Sequence, residues 1–578
     1  MSEQDPTIKA ALDKFGPHIG SYEPILENSD IANGQRMEML FGKVIRRIKN
    51  TEWRCWNLNH WATDDGGTAH LVATVLRDYI NNRDLAEAVS LMGAPMHDEW
   101  NLTTGGKDPE PIKSAMDAVN SHPRKLSAWL SKGGSERIKW FGDRLKAESK
   151  DAIVKDLMAN AAYTATDAGI NAAVRQFGRR ATASAEDFNQ VRTKFAFQNG
   201  EIDTRTGKFS PGHNPEDLNT RVSPYAYIPD AKGPLWTRYM GTNIVSRAER
   251  TFIQMCMGYA MSGDGNQKII LMMYSAMSDT GKSIFVAVMK AFFGNGYAAS
   301  LAEDTIVQRN NRDGGRDPDR MALRDKRLSI VSEMDPKKQP DVRFIKQYTG
   351  GDEVSTRDNH AIGGNKSWTS EGLMLVTTNH LVHVNVEDPA FWERMMLVEW
   401  KVPFHRMIPG PDGVNMIPNP DRDEQLADKI IGRNGFPGEM EFVGVWVVEG
   451  LRMYIKAGRK IVPPRSVINA IAKYRDQSDT VKLWLQDALN EGHVIDDDNT
   501  SGSVSHLHKI ALEWGRTNKV AIPSNSKGEF TNRLKKLGYH FGPLRSGHAE
   551  KERFKTSRRV HGLSIPDPIK VQFKLEGQ

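Results

Sequence analysis

The chain has 578 residues, a formal charge of +6 and two cysteines, and these figures exclude several classes of protein. The length predicts roughly three or four domains and a large buried core. The mild positive charge permits a nucleic-acid partner without requiring one. Cys55 and Cys256 are too few for a disulfide framework or a cysteine-based zinc site, which is typical of a reducing cytoplasm.

Hydropathy gives no sign of export or membrane insertion. The polar start MSEQDPTIKAALDKFG lacks an apolar signal-peptide region, and no stretch approaches the ~20 apolar residues of a membrane span. We therefore expect a cytoplasmic protein that has no membrane partner.

Residues 1–240 are expected to form a mainly helical N-terminal domain. Trp53, Trp56 and Trp61 lie close together there; they could stack on bases, but the core of a small hairpin or helix pair is the favoured interpretation. Asp64 and Asp65 resemble a polymerase metal pair, yet a turn explains them better, with Thr68 as the N-cap of the next helix. From residue 195 short strands and proline-rich turns lead into the next domain.

Residues 241–405 alternate apolar strands with helical segments. The strands are predicted at Ile269–Tyr274, Tyr297–Leu301, Arg327–Ser332, Leu373–Thr377 and Met395–Val402. This alternation favours a parallel, helix-covered α/β sheet. Residues 406–465 are expected to be a helical segment, and residues 466–578 to form helices at Val467–Asn490, Val504–Thr517 and Lys527–Leu537, followed by a basic β-like stretch. Two helices followed by such a stretch predict a winged helix.

The stretch KIILMMYSAMSDTGKS, from Lys268 to Ser283, has the strand, tight loop and helix start that a phosphate-binding P-loop requires. Helix N–H groups would face the phosphates, Lys282 would neutralise their charge, and the Ser283 hydroxyl would hold Mg²⁺. The expected cofactors are ATP and Mg²⁺. The predicted nucleotide contacts are Ala276, Asp279, Thr280, Gly281, Lys282, Ser283 and Ile284. Ala276 replaces the first glycine of the motif, which costs on the order of 1 kcal/mol if that position needs a positive φ.

Three further residues follow the P-loop in an order that fits ATP hydrolysis. Glu333 ends the strand RLSIVSE, where it could polarise a water and contact Mg²⁺; Ser332 stands where many ATPases have a second acid, and Asp335 could help. Asn379 ends the strand LMLVTTN, where an amide could position the attacking water. Arg394 precedes the last strand, where it could reach a neighbouring subunit as an arginine finger. Each residue alone is more simply a turn, surface or salt-bridge residue.

In this order the motifs resemble those of the superfamily 3 DNA helicases, in particular the phage, plasmid and poxvirus primase-associated branch of the AAA+ ATPases. QNGEIDTRTGKFSPGHNPEDLNTRVSPYAY resembles a signature of that branch, as do IKQYTGGDEVSTR, TTN and ERMMLVEWKVPF. The resemblance covers most of the chain and implies an AAA+ core, a helicase-associated N-terminal domain and a C-terminal winged helix.

The resemblance also assigns roles by position. Lys282 and Ser283 match Walker A, Glu333 matches Walker B, Asn379 matches sensor 1 and Arg394 matches the trans arginine finger. Lys346 to Arg357 lead into a channel hairpin expected at about Arg357 to Ser370. His360 and Lys366 would contact DNA from its tip, where Gly363 and Gly364 make the turn. No primase is expected at the start of the chain, which leaves open a separate primase partner.

The tail is rich in basic residues that could neutralise phosphates from a wing. They are Arg545, Lys551, Arg553, Lys555, Arg558 and Arg559. The favoured function is a ring-forming, most simply hexameric, ATP-dependent replicative helicase of a phage or mobile element, acting on single-stranded and forked DNA. The alternatives are an ATP-switched initiator or loader without processive unwinding, and a small-molecule P-loop kinase.

Overall fold

The computed structural model describes most of the chain from residue 29 onward. The described residues are 29–48, 52–64, 67–70, 72–73, 159, 162–164, 166–307, 318–334, 340–357, 365–381, 389–405, 407–409, 416–419, 422–518, 522, 527–542 and 559–572. They divide between two units. The first unit comprises Met1–Ala231, Ala291–Tyr297 and Met440–Val445, and the second comprises Lys232–Lys290, Ala298–Glu439 and Trp446–Gln578.

The first unit contains two described α-helices with side-chain caps. These are α1 (Asp30–Phe41) and α2 (Asp167–Arg180). Ser29 and Thr166 start them, because their hydroxyls accept hydrogen bonds from the N–H groups of Ala32 and Gly169, each at 3.1 Å.

The described part of the first unit also contains two sheets, one mixed and one antiparallel. One has the order β3-β2-β1-β4, in which β4 runs parallel to β1, and the other is the meander β5-β6-β7. The strands are β1 (Ile45–Ile48), β2 (Glu52–Trp56), β3 (Trp61–Asp64), β4 (Thr182–Ala183), β5 (Lys194–Phe197), β6 (Gly200–Asp203) and β7 (Lys208–Pro211). The described part of residues 1–240 therefore contains both helices and strands; the expectation of a mainly helical domain also concerns residues outside the described ranges and stays a prediction. The strands are short and carry aromatic and branched residues that favour extended backbone.

Tryptophans form the core between the first sheet and its helices. Trp56 and Trp61 are each 1% exposed, with ring centroids 6.1 Å apart, and Trp53 stacks on Phe177 of α2 at 5.7 Å. The core interpretation of this cluster is confirmed. Trp56 and Trp61 are not available for base stacking, since both rings are buried in this core.

Thr68 lies inside the helical stretch 67–70 that follows β3, so the predicted N-cap at Thr68 is wrong. The Asp64 carboxylate accepts hydrogen bonds from the N–H and the hydroxyl of Thr68, at 3.3 and 2.9 Å. Asp65 lies outside the described residues.

The second unit is built on a parallel five-stranded sheet with the order β14-β8-β13-β10-β9. Every neighbouring pair in it is parallel, which confirms the predicted architecture. Its strands are β8 (Ile270–Tyr274), β9 (Ala298–Leu301), β10 (Leu328–Ser332), β13 (Leu373–Thr378) and β14 (Met395–Glu399). β8, β10 and β13 are buried along nearly their whole length, as expected of strands covered on both faces.

Helices and short strands surround the sheet. They are α3 (Pro234–Asn243), α4 (Arg247–Ser262), α5 (Lys282–Tyr297, with non-helical backbone at Gly294), α6 (Pro318–Met321), α7 (Val342–Gly350), α8 (Pro389–Trp392), β15 (Met407–Pro409), β16 (Met416–Pro418), α9 (Leu426–Ile431) and α10 (Met440–Lys456). In α4, Met257 and Met261 are fully buried, which confirms them as core residues, whereas Met255 is half-buried.

A hairpin connects α7 to β13. Its strands are β11 (Glu353–Arg357) and β12 (Asn365–Thr369), paired antiparallel so that Lys366 lies opposite Thr356. The hairpin therefore starts about four residues before the predicted Arg357. Lys366 belongs to the second strand and not to the tip, while His360, Gly363 and Gly364 lie outside the described residues. The predicted start was too late because the segment Lys346–Arg357, expected to precede the hairpin, already contains its first strand.

The C-terminal part runs helix, helix, strand, helix, helix, strand, strand, helix. Its elements are α11 (Arg465–Gln477), α12 (Thr480–Asn490), β17 (Ile495–Ser503), α13 (Val504–Thr517), α14 (Lys527–Lys536), β18 (His540–Gly542), β19 (Arg559–Ser564) and α15 (Asp567–Gln572), with the strand order β17-β19-β18. The single helix predicted at Val467–Asn490 is wrong. It is broken at Ser478, because the Asp479 carboxylate accepts a bond from the Lys482 N–H at 3.1 Å and starts α12.

Among the helices of the described ranges, none combines the length and the apolarity needed to cross a bilayer.

Candidate active site

Three neighbouring parallel strands end at one edge of the sheet and carry the predicted residues there. Tyr274 at the end of β8 pairs with Thr378 of β13, and Thr377 pairs with Ser332 at the end of β10. The chain after each strand therefore emerges at the same edge, which is where open α/β sheets place their ligands. The P-loop follows β8, Glu333 follows β10 and Asn379 follows β13.

The P-loop connects β8 to the first turn of α5. Ser275 N–H donates to the Thr378 carbonyl at 3.2 Å, which ties the start of the loop to the next strand. Gly281 has φ +83°, and a Cβ there would meet the Asn243 Oδ1 at 2.9 Å. Only glycine satisfies both conditions, so this glycine of the motif is required by local geometry.

Ala276, the residue that departs from the motif, is not strained. It is exposed and is not among the described non-glycine residues with positive φ. The residue of this loop that does adopt the left-handed region is Asp279, at φ +56°. The anticipated cost of alanine therefore does not arise, because this loop makes its sharp turn three residues later.

Lys282 bridges two of the strand ends. Its Nζ donates to the Asn379 Oδ1 at 2.8 Å and to the Thr280 Oγ1 at 3.2 Å. Burial lowers the pKa of Lys282 from its usual value, and the negative charge of Glu333 acts in the opposite direction. The amine is thus held at the N-terminus of α5, where the free N–H groups of the helix also attract anions. The Glu333 carboxylate lies within electrostatic reach of it.

Glu333 is exposed and has φ +62°, in the left-handed region. This conformation costs a non-glycine residue on the order of 1 kcal/mol. Its N–H donates to the Thr377 carbonyl at 2.8 Å, which continues the sheet pairing by one residue and holds the strained backbone. A strained, exposed carboxylate at the end of a buried strand is typical of a functional residue.

Arg394 is half-buried and makes its contacts within its own chain. Its Nε donates to the Thr349 Oγ1 at 3.0 Å and one terminal nitrogen donates to the Ala390 carbonyl at 2.7 Å. The structure therefore does not bring Arg394 to the P-loop of the same chain. To act on the nucleotide of a neighbouring subunit, the Arg394 guanidinium would have to break these two hydrogen bonds.

The oxygen donors near the P-loop fit a magnesium site that is completed by phosphate and water. Ser283 and Glu333 are both exposed and provide a hydroxyl and a carboxylate, which are hard ligands of the kind Mg²⁺ prefers. Within the described ranges no three acidic, histidine or cysteine side chains form a ready cluster. This matches Mg²⁺, which commonly takes one or two protein oxygens together with substrate phosphates. Asp335 lies outside the described residues.

Sequence reasoning missed four residues that hold the P-loop in place. The Tyr239 hydroxyl donates to the Gly281 carbonyl at 2.9 Å, and Asn243 lies one turn further along α3. Phe404 N–H donates to the Asp279 carbonyl at 2.8 Å, while Arg422 lies 3.2 Å from the Asp279 carboxylate. No local pattern marks them, because they reach the loop from segments 40 residues before and more than 120 residues after it.

The predicted DNA contacts are dispersed. Lys346 lies on α7 and is half-buried, and Arg357 ends β11. Lys366 lies on β12, and Arg559 begins β19. The remaining residues lie outside the described ranges; they are His360, Arg545, Lys551, Arg553, Lys555 and Arg558.

Comparison with known protein families finds a match to part of the chain. A family model described as "D5 N terminal like" matches residues 34–244. A comparison with curated proteins finds no match.

Among solved structures, three of the NrS-1 C-terminal region are similar to part of the chain. An A-form apo structure has 10% identity, covers 58% of this chain and 77% of its own, and has a TM-score of 0.34. An A-form apo structure of residues 305–718 has 10% identity, coverages of 60% and 79%, and a TM-score of 0.32. A further apo structure of residues 305–718 has 9% identity, coverages of 58% and 77%, and a TM-score of 0.34. TM-scores this low do not establish a shared fold. The match to the family model covers residues 34–244, which is less than half of the chain.

Proposed function

We propose that this chain is an ATP-dependent DNA helicase of a phage or mobile element, belonging to the superfamily 3 branch of the AAA+ ATPases. The observation that carries the proposal is the meeting of Lys282, Asn379 and Glu333 at the ends of three adjacent parallel strands. A phosphate-neutralising amine, a polar amide and a carboxylate at one edge form the set that γ-phosphate hydrolysis requires. The match of residues 34–244 to the D5 N-terminal-like family supports a replication role.

In the proposed reaction each side chain acts on a defined part of the nucleotide. Lys282 releases Asn379 and neutralises charge on the β- and γ-phosphates, while the N–H groups at the start of α5 bind their oxygens. Asn379 is then free to position the attacking water. Glu333 accepts a hydrogen bond from that water and polarises it. Mg²⁺ would be held by Ser283 and supply further charge compensation.

Two features support DNA as the partner. The β11–β12 hairpin lies near the position at which the resemblance implies a channel hairpin, and the C-terminal order α12-β17-α13-α14-β18-β19 with strands β17-β19-β18 is compatible with the winged helix that we propose for this region. Assembly into a ring, most simply a hexamer, follows from the expected role of Arg394 in the site of a neighbour.

The first test replaces the proposed general base. Glu333→Gln keeps the shape of the side chain and should bind ATP and DNA normally, yet hydrolyse ATP at least ~100-fold more slowly, because a positioned base contributes about 10²–10⁴ in rate. Steady-state ATPase and strand displacement on a forked substrate measure this. The control is Glu186→Gln, an exposed glutamate between β4 and β5 of the first unit. Normal turnover in Glu333→Gln would remove this residue from the mechanism.

The same assays separate the alternative function. An initiator or loader would hydrolyse ATP on assembly but displace no strand in the wild-type protein. A wild type that unwinds forked DNA in proportion to the ATP it consumes would exclude that alternative.

A further inference from the structure

The turn that carries Asn379 is closed by the side chain of the residue before it. The Thr378 hydroxyl donates to the His380 carbonyl at 2.6 Å and accepts a hydrogen bond from the His380 N–H at 3.0 Å. One hydroxyl therefore binds both backbone polar groups of the residue that follows Asn379. Threonine stabilises turns by such local bonds between its side chain and the backbone. The two bonds restrict the chain on the C-terminal side of Asn379.

The backbone of Thr378 ties the same turn to the P-loop. Thr378 pairs with Tyr274 at the end of β8, and its carbonyl accepts a hydrogen bond from the Ser275 N–H at 3.2 Å. Thr378 is 1% exposed, so little water can compete for the bonds that its hydroxyl makes. Asn379 thus lies between a buried strand residue that is bonded to the P-loop and an exposed residue, His380, that is bonded back to Thr378.

The Asn379 amide reaches the phosphate-binding lysine from this turn. Its Oδ1 accepts a hydrogen bond from the Lys282 Nζ at 2.8 Å. An amide that positions an attacking water has to keep its direction, because a displacement of about 1 Å can lower a rate about 100-fold. The direction of a side chain follows from the backbone that carries it. The bonds that close the turn therefore bear on the rate of the reaction as well as on stability.

We propose that Thr378 is a positioning residue for ATP hydrolysis, and that it acts by orienting the Asn379 amide. The inference rests on the proposed ATPase function and deepens it, because it assigns part of the rate to a side chain that acts through another residue. The hydroxyl hydrogen of Thr378 is donated to the His380 carbonyl, so its effect on the reaction passes through the turn.

A pair of substitutions separates the hydroxyl from the shape of the side chain. Thr378→Val keeps the branched shape and removes both bonds, whereas Thr378→Ser keeps the hydroxyl and removes a methyl group. Thr378→Val should lower kcat for ATP at least ~10-fold and leave KM within about twofold, since the P-loop binds the phosphates. Thr378→Ser should keep kcat within about threefold of the wild type. A normal kcat in Thr378→Val, or an equal loss in both variants, would overturn the proposal.

A control variant measures the effect of losing a buried hydroxyl elsewhere. Ser262, at the end of α4, is 2% exposed; its hydroxyl donates to the Tyr259 carbonyl at 2.7 Å and accepts from the Asp264 N–H at 3.2 Å. The chain after Ser262 leads into the start of β8, whereas the P-loop follows its end. Ser262→Ala should lower Tm about as much as Thr378→Val, yet leave kcat unchanged. A similar loss of kcat in both variants would assign the effect to stability and not to positioning.

A double-mutant cycle tests whether the effect of Thr378 passes through Asn379. Asn379→Ala should lower kcat by itself, and adding Thr378→Val should lower it no further, because the amide to be oriented is gone. Losses that multiply in the double variant would contradict a role through Asn379. An active wild type with a normal Thr378→Val variant overturns this inference alone. A wild type that hydrolyses no ATP overturns the ATPase proposal, and this inference with it.

Discussion

Lys282 is a charged group that the fold holds at a cost, because its amine is partly removed from water. Burial lowers its pKa from the ordinary 10.5, and Glu333 only partly restores it. Hydrogen bonds to Asn379 and Thr280 keep the amine in place. A phosphate-binding lysine is therefore expected to trade stability for function.

The pH dependence of stability should reveal this cost. Between the lowered pKa and 10.5 the unfolded chain binds the proton of Lys282 more strongly than the folded chain, so the contribution of this group to stability rises with pH. Lys282→Met removes the group. Its Tm should therefore exceed that of the wild type at pH 8, and the difference should shrink as the pH approaches 10.5. Melting curves of both proteins across this range measure it, and ATP binding should be lost at every pH.

Restoring the missing glycine should not improve the enzyme. Ala276 is exposed and free of backbone strain, so Ala276→Gly should leave the KM for ATP within about twofold. It should lower the free energy of unfolding by about 0.4–1 kcal/mol, because glycine gives the unfolded chain more freedom. ATPase kinetics and denaturant unfolding test both statements. A severalfold rise in ATPase activity would show instead that alanine limits this loop.

At the scale of elements, α4 and α10 approach so closely that only glycine fits between them. A Cβ on Gly258 would meet the Gly450 carbonyl carbon at 2.1 Å, and a Cβ on Gly450 would meet the Gln254 carbonyl oxygen at 2.0 Å. Both contacts are with backbone, so a side chain cannot turn aside to relieve them. This close packing fixes the position of α4 relative to α10.

A pair of helix glycines tests this contact. Gly258→Ala should destabilise the protein by about 1–3 kcal/mol or more, because the extra methyl group forces the two backbones apart. Gly241→Ala is the control. Gly241 also lies within a helix, but a Cβ there meets nothing within 4 Å, so the change should raise stability by up to about 1 kcal/mol. Chemical denaturation of the two variants decides between packing and helix propensity, since propensity alone would make both changes stabilising.

Elements with a strong local signal could be predicted, and those fixed by distant residues could not. The sheet strands were predictable because each is a short apolar run whose neighbours are helices. The break between α11 and α12 could not be predicted, because the sequence around Asp479 is also compatible with a continuous helix. Only the structure shows that the Asp479 carboxylate accepts a hydrogen bond from the Lys482 N–H and caps α12. The start of the hairpin was predicted too late, because the sequence of β11 does not show that it pairs with a strand further along the chain.

The same distinction holds at the candidate site. Lys282, Glu333 and Asn379 each end a recognisable strand or loop, so their meeting at one sheet edge followed from parallel order alone. No local sequence pattern identifies Tyr239 and Arg422 as site residues, because they reach the P-loop only through the folding of α3 and residues 402–426 against it. Residues that support a site from distant parts of the sequence can be identified only from the three-dimensional structure.

At the scale of the whole molecule, the open question is whether Arg394 acts across subunits. In the single chain its guanidinium is bonded to Thr349 and to the Ala390 carbonyl, and it does not reach the P-loop. Arg394 precedes β14 and so lies at the edge of the sheet opposite the P-loop; in a head-to-tail ring that edge would face the P-loop of the next subunit. The sequence position alone does not distinguish a finger from a structural residue that anchors α7 to α8.

Mixing two inactive variants separates these roles. Lys282→Ala lacks the phosphate-binding amine and Arg394→Ala lacks the guanidinium, so each protein alone should show no ATPase activity. If every site takes Lys282 from one subunit and Arg394 from the next, random assembly of equal amounts restores about a quarter of the interfaces. Steady-state ATPase of the mixture should then rise to a similar fraction of the wild type. A mixture as inactive as its components, although co-assembled by light scattering, would assign Arg394 to its own chain, where its bonds to Thr349 and Ala390 make it a structural residue.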